Sequence, residues 1–197
     1  MINARSILMV DWENFRRKIK SIFEENNKIS PMWRHYDFRS LFDRALANIR
    51  RERELFYFSR IKEDPRTREK SKQLIELQRF LKNHLEKQEF EIVFGGYVRG
   101  QMQRGTKESN LLVFKEKGVD VKIAVDMVRW ACDKKVDEII LASSDSDLQP
   151  AISEVRARGV RCVYLGFESQ PNRGMMYTTH RTILIKDSDV FTYGEIS

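Results

Sequence analysis

Four aspartates in this chain fall where a fold gathers acids against a substrate. Asp11 closes the apolar run SILMV at 6–10, and Asp145 and Asp147 follow the run EIILA at 138–142 within SSDSD. Asp120 opens a helical stretch in KGVDVKIAVD, behind a turn supplied by Gly118. Two carboxylates about 4 Å apart repel by about 4 kcal/mol at an effective dielectric constant near 20. No basic residue adjoins Asp145 and Asp147 in sequence. A Lys or Arg from elsewhere, a shared proton or a divalent cation must therefore offset the repulsion. Oxygen-only donor sets suit Mg2+ or Mn2+. His35, His84 and His180 lie outside these stretches, which argues against zinc. A Mg2+ or Mn2+ held by one or two carboxylates, with water and substrate phosphate in its other positions, is the arrangement that hydrolyses phosphodiesters.

Each acid also has a plainer use. An acid in the first turn of a helix caps it or favours its dipole, and Asp120 and Asp147 both fit that role. Asp147 taking the cap leaves Asp145 as the acid without a structural duty.

The elements that must position these residues are legible as apolar runs. SILMV at 6–10, LFYF at 55–58, FEIVFGGYV at 90–98, EIILA at 138–142 and the run at 160–165 lack a polar alternation, which marks strands covered on both faces. Helical spacing joins them: Phe15, Ile19, Ile22 and Phe23, then Phe38, Leu41, Phe42 and Leu46, then Leu74, Leu77, Leu81 and Leu85. Further helices are expected at 119–132 and 148–158. Residues 59–72 read as a charged loop running into a helix and 99–110 as a basic, mobile loop; 167–180 reads as an irregular loop, and ILIKDSDVF has no assigned element. Strands alternating with helices give an α/β fold, a parallel sheet with helices on both faces. In such a sheet, sites form at the carboxyl ends of the strands near the point where strand order reverses, and Asp11, Asp145 and Asp147 all lie at strand carboxyl ends.

Composition sets the outer limits. The 197 residues, 41% of them hydrophobic, suffice for one domain, 1–197, with a core over about 5–166 and a C-terminal extension at 167–197. Thirty-six Lys and Arg against 29 Asp and Glu give a net charge of +7, which suits a polyanion such as nucleic acid. Cys132 and Cys162 form no CxxC and are both expected in the core, as in a reducing compartment. The apolar run after the N-terminus stops at Asp11, and no run approaches the ~18 residues of a membrane span. The expected setting is cytoplasmic, away from membranes, and a homodimer is compatible with it.

Taken together, LMVDWEN, KGVDVKIAVDMV and IILASSDSDLQPAISEVRARGVRCVYLG, in this order, resemble the NYN domain, in its LabA-like branch, within the PIN-like nuclease superfamily. The resemblance covers most of the chain. It implies a Rossmann-like sheet of order 3-2-1-4-5, an acidic pocket for Mg2+ or Mn2+, and RNA as the usual substrate, here with single strands favoured. Asp11 matches the acid after the first strand and Asn14 the polar position of D-x-x-N. Asp120 matches the acid of K-G-V-D, and Asp145 and Asp147 match those of S-x-D-x-D. Asp126 matches a position that is often acidic, six residues from Asp120 and so on another helical face. The chain departs from the pattern at Ser144, usually glycine, at Leu148, usually aromatic, and at Trp12, usually small.

On this reading Asp11, Asp120, Asp145 and Asp147 are the catalytic and metal-holding acids, with Asp126 behind them. Asn14, Ser143 and Ser144 would orient water or phosphate, while Arg99, Arg104 and Lys107 track the RNA backbone and Trp12 either stacks a base or, the more common fate of an indole, packs in the core. Two rivals stand beside it. One is an RNA-binding scaffold of the same fold that does not cleave, against which the presence of all four acids counts. The other is a toprim-like enzyme, which would need a catalytic Glu that Glu91 supplies poorly, lying ahead of its strand core.

Overall fold

The computed structural model describes residues 5–63, 65, 68–104 and 110–194; the side chains of 99–104 and 110–116 lie outside the description. Seven strands form one sheet: β1 (Ser6–Asp11), β2 (Arg51–Arg60), β3 (Glu91–Arg104), β4 (Asn110–Lys117), β5 (Glu138–Ala142), β6 (Arg161–Phe167) and β7 (Arg181–Ile185). Their order is β4-β3-β2-β1-β5-β6-β7, all parallel except β4, which runs antiparallel to β3. The five strands read from the apolar runs therefore take the expected order 3-2-1-4-5, and β7 continues the parallel series. Strand order reverses between β1 and β5.

Side chains alternate across the sheet into two cores. On one face Leu8, Val10, Phe56, Phe58, Ile140 and Leu165 meet α1 (Trp12–Glu25), α2 (Phe38–Ala45), α3 (Arg68–Lys87) and α7 (Asp187–Gly194). On the other, Ile7, Met9, Leu55, Tyr57, Ile139 and Leu141 meet α4 (Val119–Cys132), α5 (Gln149–Ala157) and α6 (Arg173–Thr178). Burial on both faces explains why the strands lack alternation in sequence.

Several expectations need correction. The stretch 99–110 is not wholly a loop: β3 continues to Arg104 and pairs residue by residue with a strand that restarts at Asn110. The hairpin lies at the edge of the sheet, so its sequence carries no doubly covered apolar run. The end of the chain adds β7 and α7 to the sheet and the first core, and the stretch at 167–180 contains α6, capped by Asn172, whose Oδ1 accepts from the Met175 N–H at 3.0 Å. Cys162 is buried as expected, but Cys132 is exposed at the end of α4, where Arg158 Nε donates to its Sγ at 3.0 Å.

Two glycines connect the hairpin to the site. Gly118 adopts φ +93°, and Gly96 adopts φ +83° where a Cβ would lie 1.9 Å from the Lys117 carbonyl oxygen. These positive angles cost glycine little and other residues more. The turn at Gly118 begins α4 and puts Asp120 in its first turn.

Trp12 is not available to stack a base with an open face. It is 5% exposed, stacks on Phe58 with ring centroids 5.5 Å apart, and meets Trp33 and Phe38 edge-on at 5.6 and 5.8 Å. Truncating a core indole removes that burial and leaves a cavity, at about 3–5 kcal/mol. Trp12→Ala should lower the unfolding free energy by that amount, read as a lower urea midpoint with the denaturant slope unchanged; a loss below about 1 kcal/mol would mean the ring is not core.

Candidate functional site

The parallel register brings the acids together. Val10 pairs with Ala142 across the β1–β5 ladder, so the next residues, Asp11 and Ser143, leave the sheet side by side at the reversal point. Ser143 Oγ donates to Asp11 Oδ2 at 2.9 Å and accepts from the Asp145 N–H at 3.2 Å. Asp11 Oδ1 accepts from the Asn14 N–H at 3.2 Å and caps α1. Asp145 caps the short 3-10 turn at 146–148, its Oδ1 accepting from the Asp147 N–H at 2.9 Å. The cap falls to Asp145 rather than to Asp147, the reverse of the sequence expectation. One carboxylate oxygen suffices for each cap, and Asp145 Oδ2 makes no hydrogen bond among the described residues.

The four carboxylates differ in exposure. Asp11 is buried, Asp120 and Asp145 are half-buried, and Asp147 is exposed. Burial raises the Asp11 carboxyl to about 6, opposed by its bonds from Asn14 and Ser143 and assisted by the charges of Asp120 and Asp145. Asp120 is raised for the same leading reason, with Asp145 and Asp147 adding to it and Arg17 opposing. Asp120 thus lies within electrostatic reach of Asp11, Asp145 and Asp147, and Asp11 also of Asp145. None of the four forms an ion pair among the described residues.

The loop between β5 and the 3-10 turn is held from three sides. Asn14 Oδ1 accepts from the Ser144 N–H at 2.9 Å, the Ser144 hydroxyl meets the Tyr164 hydroxyl at 2.9 Å, and Asn172 Nδ2 donates to the Ser144 carbonyl at 2.8 Å. The Asn172 N–H also donates to Tyr164 Oη at 3.2 Å. Asn14, Ser143 and Ser144 are therefore engaged in holding acids and loop, and the single Ser143 hydroxyl proton already goes to Asp11. Tyr164 and Asn172 escaped the sequence reading; the one signal was a strand end followed by a short polar run on the neighbouring strand β6.

Asp126 stands apart in its bonding. It is 3% exposed and accepts from Tyr57 Oη at 3.1 Å and Lys122 Nζ at 2.7 Å, so its charge already has a partner. Glu91, the acid a toprim-like site would need, begins β3 and is bound by Arg53 at 2.8 and 2.5 Å, at the strand end opposite the acids. Lys107 lies outside the described residues, as do the side chains of Arg99 and Arg104.

Cation holding can be tested on this donor set. Among the described residues, no three His, Cys, Asp or Glu side chains are arranged to hold a metal ion by themselves. Catalytic zinc needs about three protein ligands, which the cluster does not offer. Mg2+ typically takes one or two carboxylates and keeps water and phosphate in its other positions. The all-oxygen cluster, with Asp145 Oδ2 uncommitted, fits that mode.

The sequence profile of the NYN domain matches residues 5–186. The chain belongs to the NYN domain family. As an NYN domain it carries a nuclease-like fold, with a six-strand parallel series in the family's order. A protein of unknown function from Vibrio parahaemolyticus, VPA0982, has a similar crystal structure, with a TM-score of 0.59 at 19% identity, covering 94% of this chain and 95% of that one. At that identity the likeness extends to the fold alone. No curated protein matches the chain significantly. No helix among the described residues of this NYN domain is long and apolar enough to cross a membrane.

Proposed function

We propose that this NYN domain is a ribonuclease that hydrolyses phosphodiester bonds of single-stranded RNA with Mg2+ or Mn2+. The observation that carries the reading is the clustering of Asp11, Asp120, Asp145 and Asp147 at the strand-order reversal without a paired cation. One or two of Asp11, Asp120 and Asp145 would hold the ion directly and the rest through its waters, with Asp147 completing the set at the exposed rim. When bound, the ion offsets the charge of the scissile phosphate and acidifies a water. Ser143 fixes the Asp11 carboxylate, while Asn14, Tyr164 and Asn172 fix the loop that carries Asp145, so they act as positioning residues. Asp126, paired with Lys122, braces α4 behind the acids. Cleavage of the P–O3′ bond by water leaves a 3′-hydroxyl and a 5′-phosphate. The net charge of +7 supports a polyanionic substrate.

The test is incubation of labelled single-stranded RNA with the purified chain in Mn2+, in Mg2+ and in EDTA, followed by end-group analysis of the products. Cleavage in either metal with 5′-phosphate ends, abolished by EDTA, is the expected result. Salt-sensitive RNA binding without cleavage in any metal would make the domain a scaffold instead.

A further inference from the structure

Beside the acid cluster runs a groove of about 910 Å³ that none of the chemistry above uses. It lies between the start of α1, the segment 31–34, the end of β2 and α3. Its apolar lining comes from Trp33, Phe58, Leu74, Leu77 and Phe80, with Trp12 contributing its small remaining accessible area. Leu77 and Phe80 are 60% and 54% exposed, and Met32 beside them is 48% exposed. Leu74, Leu77 and Leu81 recur at helical spacing, so α3 turns an apolar stripe towards this groove, yet only Leu81 of the three is buried. Leucines on a core-facing stripe are ordinarily covered, whereas Leu77 stands open and Leu74 is only partly covered.

The rim has the opposite character. Arg16, Arg17 and Arg34 border the groove. Arg16 and Arg17 share one carboxylate, Glu13, at 2.8 and 4.0 Å, and Arg34 has no acidic partner among the described residues. Three guanidinium groups with one carboxylate between them leave the rim positive. Arg17, 71% exposed, also acts on the charge of Asp120, so rim and acid cluster are neighbours. The two sites meet in the backbone as well: Asp11 belongs to the cluster and Trp12, the next residue, to the groove.

An aromatic and aliphatic floor under a guanidinium rim matches an unpaired nucleotide, whose base stacks on aromatic rings while its phosphate takes the cations. We propose that this groove is a base-binding subsite, receiving one or more unstacked bases of a single strand whose phosphate chain passes along the rim to the acids. The proposal rests on the ribonuclease reading for the direction of the strand, and it adds a requirement for bases as well as phosphates. An apolar partner helix would fit the floor but would find no complement for the rim.

The experiment uses the full chain in EDTA, so that binding is read without cleavage. The probes are a short labelled single-stranded RNA and the same oligonucleotide with abasic sites; the variants are Leu77→Glu and Phe80→Ser, both on exposed positions. The wild type should lose about tenfold in affinity for each stacked base removed. Each variant should lose about tenfold for the intact RNA and bind intact and abasic RNA alike, with an unchanged circular dichroism spectrum. Equal binding of intact and abasic RNA by the wild type would overturn the subsite, as would a full abasic penalty retained in both variants. A dimer that Leu77→Glu dissociates with RNA affinity unchanged would also overturn it, and assign the groove to self-association. Cleavage in Mn2+ that is indifferent to both variants removes the groove and leaves the ribonuclease; base-dependent binding with no cleavage in any metal does the reverse.

Discussion

Asp145→Asn should lower RNA cleavage in Mn2+ by at least about 100-fold while leaving the fold intact. Asparagine is a good cap, and its Oδ1 can still accept from the Asp147 N–H, so the 3-10 turn persists. What disappears is the charge at the Oδ2 position, which makes no hydrogen bond among the described residues and serves no structural purpose. Changes one layer behind a metal already cost about 10–100-fold, so losing a carboxylate that holds the ion costs at least the upper value. The substitution has a second signature. Asp145 helps raise the carboxyls of both Asp11 and Asp120, so each should titrate lower in the variant, which side-chain carboxyl NMR detects. If Asp145 were only a cap, Asn would preserve cleavage, and an unaffected rate would end the catalytic assignment. Alanine would add the loss of the cap, about 1 kcal/mol of stability, and so confuse the two effects.

The four aspartates were legible because each sits against a pattern that survives in one dimension. SILMV and EIILA are continuous apolar runs because β1 and β5 are covered on both faces, and an acid ending such a run must lie at a strand terminus. Helix α4 was legible from end to end, opened by Gly118 and periodic to Cys132. The β3–β4 hairpin was not, since its outer part pairs at the sheet edge and shows neither a doubly covered run nor a two-residue turn signal. Nor were α6 and α7, of six and eight residues, too short for a period to register. The placement of the acids at strand and helix ends was readable but their support was not. Tyr164 and Asn172 reach Ser144 from 20 and 28 positions away, and no local spacing marks such a contact. Between stacking and core packing for Trp12 the sequence does not decide for a related reason: it places an indole beside Asp11 but does not say that Phe58 and Trp33 close over it.

In metal-free buffer at pH 7.5, Asp11→Asn should be more stable than the wild type, against the usual direction for a change at a buried polar residue. The Asp11 carboxyl is raised from 3.8 to about 6, chiefly by burial. A raised carboxyl favours the protonated form in the folded state, so the folded protein gains most below about pH 4. That gain is lost as pH climbs through 4 to 6, and above 6 the fold carries a buried charge it disfavours. A shift of about two units corresponds to about 3 kcal/mol. Asparagine has the same shape and no charge: its oxygen can accept from the Asn14 N–H, and the Ser143 hydroxyl can turn to accept from its amide. The gain should therefore be about 2–3 kcal/mol at pH 7.5, or about 5–10 °C in Tm for a chain of this size, and vanish near pH 4. Adding Mn2+ should reverse the ranking. An ion that binds only the folded wild type stabilises it by about 2.7 kcal/mol at 100 times its Kd, whereas the variant has lost a ligand and gains little. Thermal melts at two pH values, with EDTA and with Mn2+, therefore separate an acid retained to hold a cation from one retained to cap a helix. A wild type that is the more stable protein at pH 7.5 in EDTA, and indifferent to Mn2+, would place Asp11 in the second class.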